Sequence, residues 1–89
     1  MSLIKRSLSL YGHSTSLALE TEYWAVIDYI ATRDARSVAS LIKILDDRRI
    51  AENYARGLAA YIRVWAIGKI IADDAIRDSV KSQFSNFST

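Results

Sequence analysis

The chain has no cysteine and no proline, and only one histidine and three glycines among its 89 residues. Without cysteine it can form neither disulfide bonds nor thiolate metal sites. The single histidine, His13, has no second ligand and no paired nucleophile at the spacing that metal or catalytic sites need. We therefore predict that the protein is not an enzyme and that it holds no metal and no cofactor.

A long hydrophobic run is also missing. The longest apolar stretch, YIRVWAIGKIIA, contains Arg63 and Lys69 and is too short to span a bilayer. The first residues lack the apolar core of a signal peptide. The net charge of +2 permits nucleic-acid binding but is too small to argue for it. These absences predict a cytoplasmic protein with no membrane partner.

The segment KRSLSLYGHSTSLALE, Lys5 to Glu20, alternates between apolar and small polar residues. This period of two predicts strands over about Ile4–Leu10 and Ser14–Leu19, with Gly12 in the turn between them. The apolar face comprises Ile4, Leu8, Leu10, Thr15, Leu17 and Leu19. The polar face comprises Lys5, Ser7, Ser9, Ser14, Ser16 and Ala18. Because a lone hairpin is at best marginally stable in water, its apolar face needs a cover.

After Glu20 the apolar period becomes 3.6, which predicts helices for the rest of the chain. The first should end near Arg33, and Ser37 offers an N-cap for a second that runs to about Arg49 or Ala51. Asn53 is a plausible cap for a third helix and Asp73 for a short fourth. The fourth carries an apolar stripe of Ile76, Val80 and Phe84.

The third predicted helix is apolar on two sides. One face carries Leu58, Tyr61, Ile62 and Trp65, and another carries Val64, Ile67 and Ile71. A helix with two apolar faces is normally buried on both. We expect one face to pack on the core and the other to meet the fourth helix, a second copy or a partner protein.

The start of the chain resembles a bacterial subgroup of the ribbon-helix-helix (Arc/MetJ-like) family, whose members begin KRS, then GH-x-TS, then LE and an aromatic pair. The turn RSVAS, Arg36 to Ser40, is similar to the turn between the two helices of that family. The resemblance covers about residues 4–65. It implies a mainly α fold with a short β-ribbon, a ββαα dimer with one or two extra C-terminal helices. The ribbon-helix-helix core would be residues 1–52, and residues 53–89 a helical extension with a loose tail, in one domain.

The resemblance also implies a function. In the family the strands of two subunits pair across a two-fold axis, the helices cover the apolar face, and the polar face enters the DNA major groove. We therefore expect a homodimeric transcriptional regulator that binds double-stranded DNA. The residues expected to face the bases are Ser14, Ser16 and Ala18. Those expected at phosphates are Lys5 and Arg6, with Arg36, Ser37, Val38 and Ala39 at the second helix N-terminus. The expected dimer interface is Thr15, Leu17, Leu19, Val38, Leu41, Ile42 and Leu45.

Each of these sites has a simpler structural explanation. Ser14, Ser16 and Ala18 are also typical of a sheet face that is simply exposed to solvent. Lys5 and Arg6 also suit an exposed terminus. Ser37 would cap its helix whether or not a phosphate binds there. Relatives commonly carry longer polar or basic residues where this chain has Ser14 and Ala18. The alternative function is a dimeric or tetrameric protein–protein assembly module with the same fold and little DNA affinity, which would bind a partner through its C-terminal helices.

Overall fold

A two-stranded antiparallel ribbon is followed by four helices in the computed structural model, which describes residues 3–81 and 83. The elements are β1 (Leu3–Leu10), β2 (His13–Glu20), α1 (Thr21–Arg33), α2 (Val38–Ala51), α3 (Leu58–Ala72) and α4 (Asp74–Lys81). The predicted fold class is confirmed. Phe84 and most of the predicted tail, residues 82 and 84–89, lie outside the described residues.

The hairpin is built on a two-residue turn. β1 pairs with β2 from Leu10 opposite His13 down to Leu3 opposite Glu20. Tyr11 and Gly12 form the turn, with φ angles of 53° and 77°. Two positive φ angles in a two-residue loop are the mark of a type I′ turn, whose twist matches that of the strands. The turn at Gly12 is therefore confirmed, and Tyr11 shares its left-handed conformation.

The apolar face of the hairpin is partly covered by helices of the same chain. α2 packs against β1, while α1 and α3 pack against β2. Leu17 is 5% exposed and Leu19 is 0% exposed. Both belong to one cluster of buried residues that also includes Trp24 and Ile27 of α1 and Ile62 of α3. A single chain thus buries Leu10, Leu17 and Leu19, while Leu8 and Thr15 are half-buried and Ile4 is 41% exposed.

Two of the three predicted helix caps are confirmed. The backbone N–H of Ser40 donates to the Ser37 hydroxyl at 3.0 Å, and that of Ala75 donates to the Asp73 carboxylate at 2.9 Å. The prediction for Asn53 is wrong. Asn53 has a φ of 54° just after the end of α2, the left-handed conformation that terminates helices and that asparagine tolerates. α3 instead begins after Gly57.

The two apolar faces of α3 have different environments. Ile62 and Ala66 are buried in the core, and α4 packs against α1 and α3 through the buried Ile76 and Val80. Val64, Ile67 and Ile71 remain 52%, 47% and 72% exposed. We call these three residues the α3 stripe. α4 therefore does not cover the second apolar face. Over the described residues, no helix is long and apolar enough to cross a membrane.

Candidate nucleic-acid interface

One face of the hairpin is polar and points away from the core. It is formed by three cross-strand pairs, and we call it the polar ribbon face: Lys5 with Ala18, Ser7 with Ser16, and Ser9 with Ser14. Every member except the half-buried Ala18 is exposed. The structure thus brings the predicted base-facing residues together with Lys5, Ser7 and Ser9 of β1, as the alternation of the two strands predicts.

The chemistry of this face is that of small hydrogen-bonding groups. Serine hydroxyls both donate and accept hydrogen bonds, so they can contact any base edge, and the methyl group of Ala18 suits the methyl group of thymine. Lys5 is the one charged residue among the six. The face can therefore approach DNA closely, while its attraction to phosphate is modest.

Arg6 lies on the opposite face of β1 from Lys5. Its guanidinium donates hydrogen bonds of 2.8 and 2.9 Å to the two carboxylate oxygens of Asp28 on α1. It also stacks on Trp24, with 4.1 Å between its Cζ and the ring centroid. The hydrogen bond from Arg6 to Asp28 raises the Arg6 pKa above its ordinary value. The structure does not bring Arg6 to the polar ribbon face.

The other predicted phosphate site is the start of α2. Ser37 caps the helix, and exposed Arg36 donates to the Ser40 hydroxyl at 3.2 Å. The N–H groups of Val38 and Ala39 belong to the first helical turn, where a helix has no acceptor of its own to offer them. These groups could hold an anion. Within residues 3–81 and 83, no hydrogen bond or ion pair joins the start of α2, Arg36 to Ala39, to the hairpin.

The hairpin tip is fastened to the second half of α2. The Tyr11 hydroxyl donates to the Asp47 carboxylate, and Lys43 donates to the other Asp47 oxygen at 3.1 Å. The hydrogen bond to Asp47 raises the pKa of Tyr11 to about 12. In turn, Tyr11 first and then Lys43 lower the pKa of Asp47. No local pattern in the sequence signals this contact, because it spans 36 positions.

The opposite end of the hairpin is fastened to α3. Arg63 donates to the Glu20 carboxylate at 2.9 Å and lies over the ring of Tyr23, 5.8 Å from its centroid. The Arg63 hydrogen bond is the main reason why the pKa of Glu20 falls below its ordinary value. With both ends anchored, the orientation of the polar ribbon face is set by the chain itself.

The residues predicted for the dimer interface lie mostly in the core of one chain. Five are buried there and the other two are half-buried. The buried ones are Leu17, Leu19, Leu41, Ile42 and Leu45, and the half-buried ones are Thr15 and Val38. Their contribution to contacts between two copies stays a prediction.

Comparison with known proteins identifies the family. A model of the ribbon-helix-helix domain matches residues 3–70. The chain belongs to the ribbon-helix-helix family. Its structure is similar to that of an uncharacterized protein from Bordetella pertussis Tohama I, with 34% sequence identity and a TM-score of 0.60. The match covers 81% of this chain and 65% of the Bordetella chain. Among curated proteins, none matches this chain.

Proposed function

We propose that this ribbon-helix-helix protein binds double-stranded DNA with its polar ribbon face and acts as a cytoplasmic, homodimeric transcriptional regulator. The observation that carries the proposal is the two-sided hairpin. Leu10, Leu17 and Leu19 on its apolar face are buried by the helices, whereas its other face is polar, mostly exposed and free of acidic residues between Lys5 and Ala18. A surface of this kind fits the major groove, which admits a two-stranded ribbon.

Contacts to phosphate would come from outside the ribbon as well as from it. Lys5 lies at one end of the polar ribbon face, and the start of α2 offers Arg36 and the first N–H groups of the helix. Such contacts position a protein on the duplex but do not read its sequence. Base reading would fall to the serine hydroxyls and the methyl group of Ala18.

We further propose that two copies associate, and that apolar surface which a single chain leaves open contributes to the interface. The α3 stripe is apolar, uncharged and continuous along one side of its helix. The same stripe favours the second candidate function, a dimeric or tetrameric assembly module. So does the single charge on the polar ribbon face, since DNA affinity depends on neutralising phosphates.

A band-shift titration on random-sequence duplex at several salt concentrations tests the proposal. A DNA-binding protein should shift the duplex at low salt, and the logarithm of its affinity should fall linearly with the logarithm of salt concentration. An assembly module should give no shift at any salt concentration, even at protein concentrations at which sedimentation shows association.

A further inference from the structure

The tip of the hairpin brings two hydrogen-bond donors to one carboxylate. The Tyr11 hydroxyl donates to one oxygen of Asp47, and the Lys43 ammonium group donates to the other at 3.1 Å. The ammonium group also lies over the Tyr11 ring, 5.2 Å from its centroid. All three residues are exposed. We call the Tyr11 hydroxyl and the Lys43 ammonium group the tip donors.

We propose that the tip donors form a further binding site for a backbone phosphate of DNA, and that Asp47 occupies this site in the free protein. This inference rests on the proposed DNA-binding function and adds a site to it. Carboxylate and phosphate oxygens are both anionic acceptors, so donors that hold Asp47 also suit a phosphate. On the duplex, a phosphate would replace the Asp47 carboxylate, whose charge otherwise opposes that of the DNA.

The position of the hairpin tip supports the assignment. Tyr11 lies two residues beyond Ser9, and the turn follows directly after the end of the polar ribbon face formed by Ser9 and Ser14. Two residues of a strand span about 7 Å. A ribbon in the major groove, which is about 12 Å wide, has a phosphate strand about 6 Å from its centre on either side. Long side chains at the tip can therefore reach a phosphate while the serines face the bases.

The tip donors also lie on the same side of α2 as a phosphate contact already expected there. Arg36 donates to the Ser40 hydroxyl at 3.2 Å. Lys43 follows Ser40 by three positions and Asp47 follows Lys43 by four, spacings that keep side chains on one side of a helix. Lys43 is about 5 Å further along the helix axis than Ser40. Arg36 and Lys43 can thus contact phosphates of one strand.

The presence of tyrosine at position 11 is not explained by the turn. Its φ of 53° is left-handed, and type I′ turns favour asparagine, aspartate and glycine at such a position. The ring is not needed for the core either, because Tyr11 is 49% exposed. What the side chain supplies is a hydroxyl that reaches a carboxylate 36 positions away. This favours a role in contacts at the tip.

Removal of Asp47 tests the site, because the inference predicts a gain of affinity. Asp47 cancels the charge of Lys43, so Asp47→Ala should bind random-sequence duplex more tightly at low salt and steepen the salt slope by about 1. For a fourfold rise in salt concentration, its advantage should shrink about three- to fourfold. Asp78→Ala is the matched control, since it removes the same charge and breaks an ion pair with Lys81 on α4. Band shifts measure both variants.

A second substitution separates the tip donors from a general effect of charge. In the Asp47→Ala background, Tyr11→Phe changes no charge, so it should lower affinity about three- to tenfold without altering the salt slope. Tyr61→Phe in the same background is the control. It removes the same atom and a hydrogen bond of 3.0 Å to Glu52, away from the hairpin, and should leave affinity unchanged.

Equal affinities of Asp47→Ala and Asp78→Ala would overturn the inference, as would equal affinities of the Tyr11→Phe and Tyr61→Phe proteins. Thermal unfolding checks that each variant folds. If Asp47→Ala does not fold, Asp47→Asn replaces it, because the amide oxygen still accepts from Tyr11 while the charge is gone. If the unchanged protein shifts duplex but these differences are missing, only the inference fails. If no variant shifts duplex at low salt, the proposed function fails and the inference with it.

Discussion

Arg6 and Asp28 are joined by two parallel hydrogen bonds, of 2.8 and 2.9 Å, that tie β1 to the middle of α1. The neighbouring residue, Lys5, points to the other side of the strand. Two adjacent basic residues therefore have different tasks. Arg6 holds the hairpin on the helix, where it is engaged by a carboxylate and an aromatic ring, and Lys5 remains available to a phosphate.

Substitution of the two basic residues should separate these tasks. We expect Arg6→Ala to lower the free energy of unfolding by about 1 kcal/mol, a value limited by the partial exposure of the ion pair. Lys5→Ala should leave stability unchanged, weaken binding to all duplexes alike and reduce the salt slope by about 1. Denaturant unfolding and salt-dependent band shifts measure the two effects. If Arg6→Ala instead reduced the salt dependence of DNA affinity and left the free energy of unfolding unchanged, the separate roles of Arg6 and Lys5 would be contradicted.

The side of the strand on which Arg6 lies follows from the sequence, but its partner does not. Strand alternation places Arg6 on the same side as Ile4 and Leu8, away from Lys5. Asp28 is 22 positions away from Arg6, and only the packing of α1 on the hairpin brings it near. The periodicities, the Ser37 and Asp73 caps and the turn at Gly12 are local signals, and the predictions made from them are confirmed.

Two other features depend on information that local sequence does not carry. Asparagine is suited both to begin a helix and to terminate one, so the residues around Asn53 do not decide between α2 and α3. The burial of Leu17 and Leu19 likewise depends on how α3 folds back on β2. The sequence of the hairpin alone does not tell whether a second copy or the rest of the same chain packs on its apolar face.

A bulky acid in the middle of the polar ribbon face should abolish DNA binding. Ser16 is exposed, so Ser16→Glu should fold normally, yet its carboxylate would face the bases and repel the phosphates. We expect no band shift from this variant on a duplex that the unchanged protein binds. Ala55→Glu, which adds the same charge in an exposed loop, is the control. Equal binding by Ser16→Glu and the unchanged protein would show that the ribbon is not the reading element.

The α3 stripe should be needed for association between copies. We expect Ile67→Glu with Ile71→Glu to reduce the sedimenting species to a smaller form, because buried carboxylates without partners are strongly unfavourable in an interface. Ile50→Glu is a matched control, since Ile50 is 60% exposed on α2 and lies outside the stripe. If the double variant keeps the size and thermal stability of the unchanged protein, the stripe has no assembly role.

The ion pair between Glu20 and Arg63 should make stability depend on pH in the acid range. Arg63 holds the Glu20 pKa below its ordinary value of 4.5, so the pair stabilises the fold fully above that pH. The contribution is lost as pH falls through the lower pKa of the folded state. Glu20→Gln should lower the free energy of unfolding by up to about 1 kcal/mol at pH 7, with the difference shrinking in acid. If the difference in the free energy of unfolding between Glu20→Gln and the unchanged protein stayed constant from pH 7 to pH 3, the ion pair with Arg63 would not be its cause.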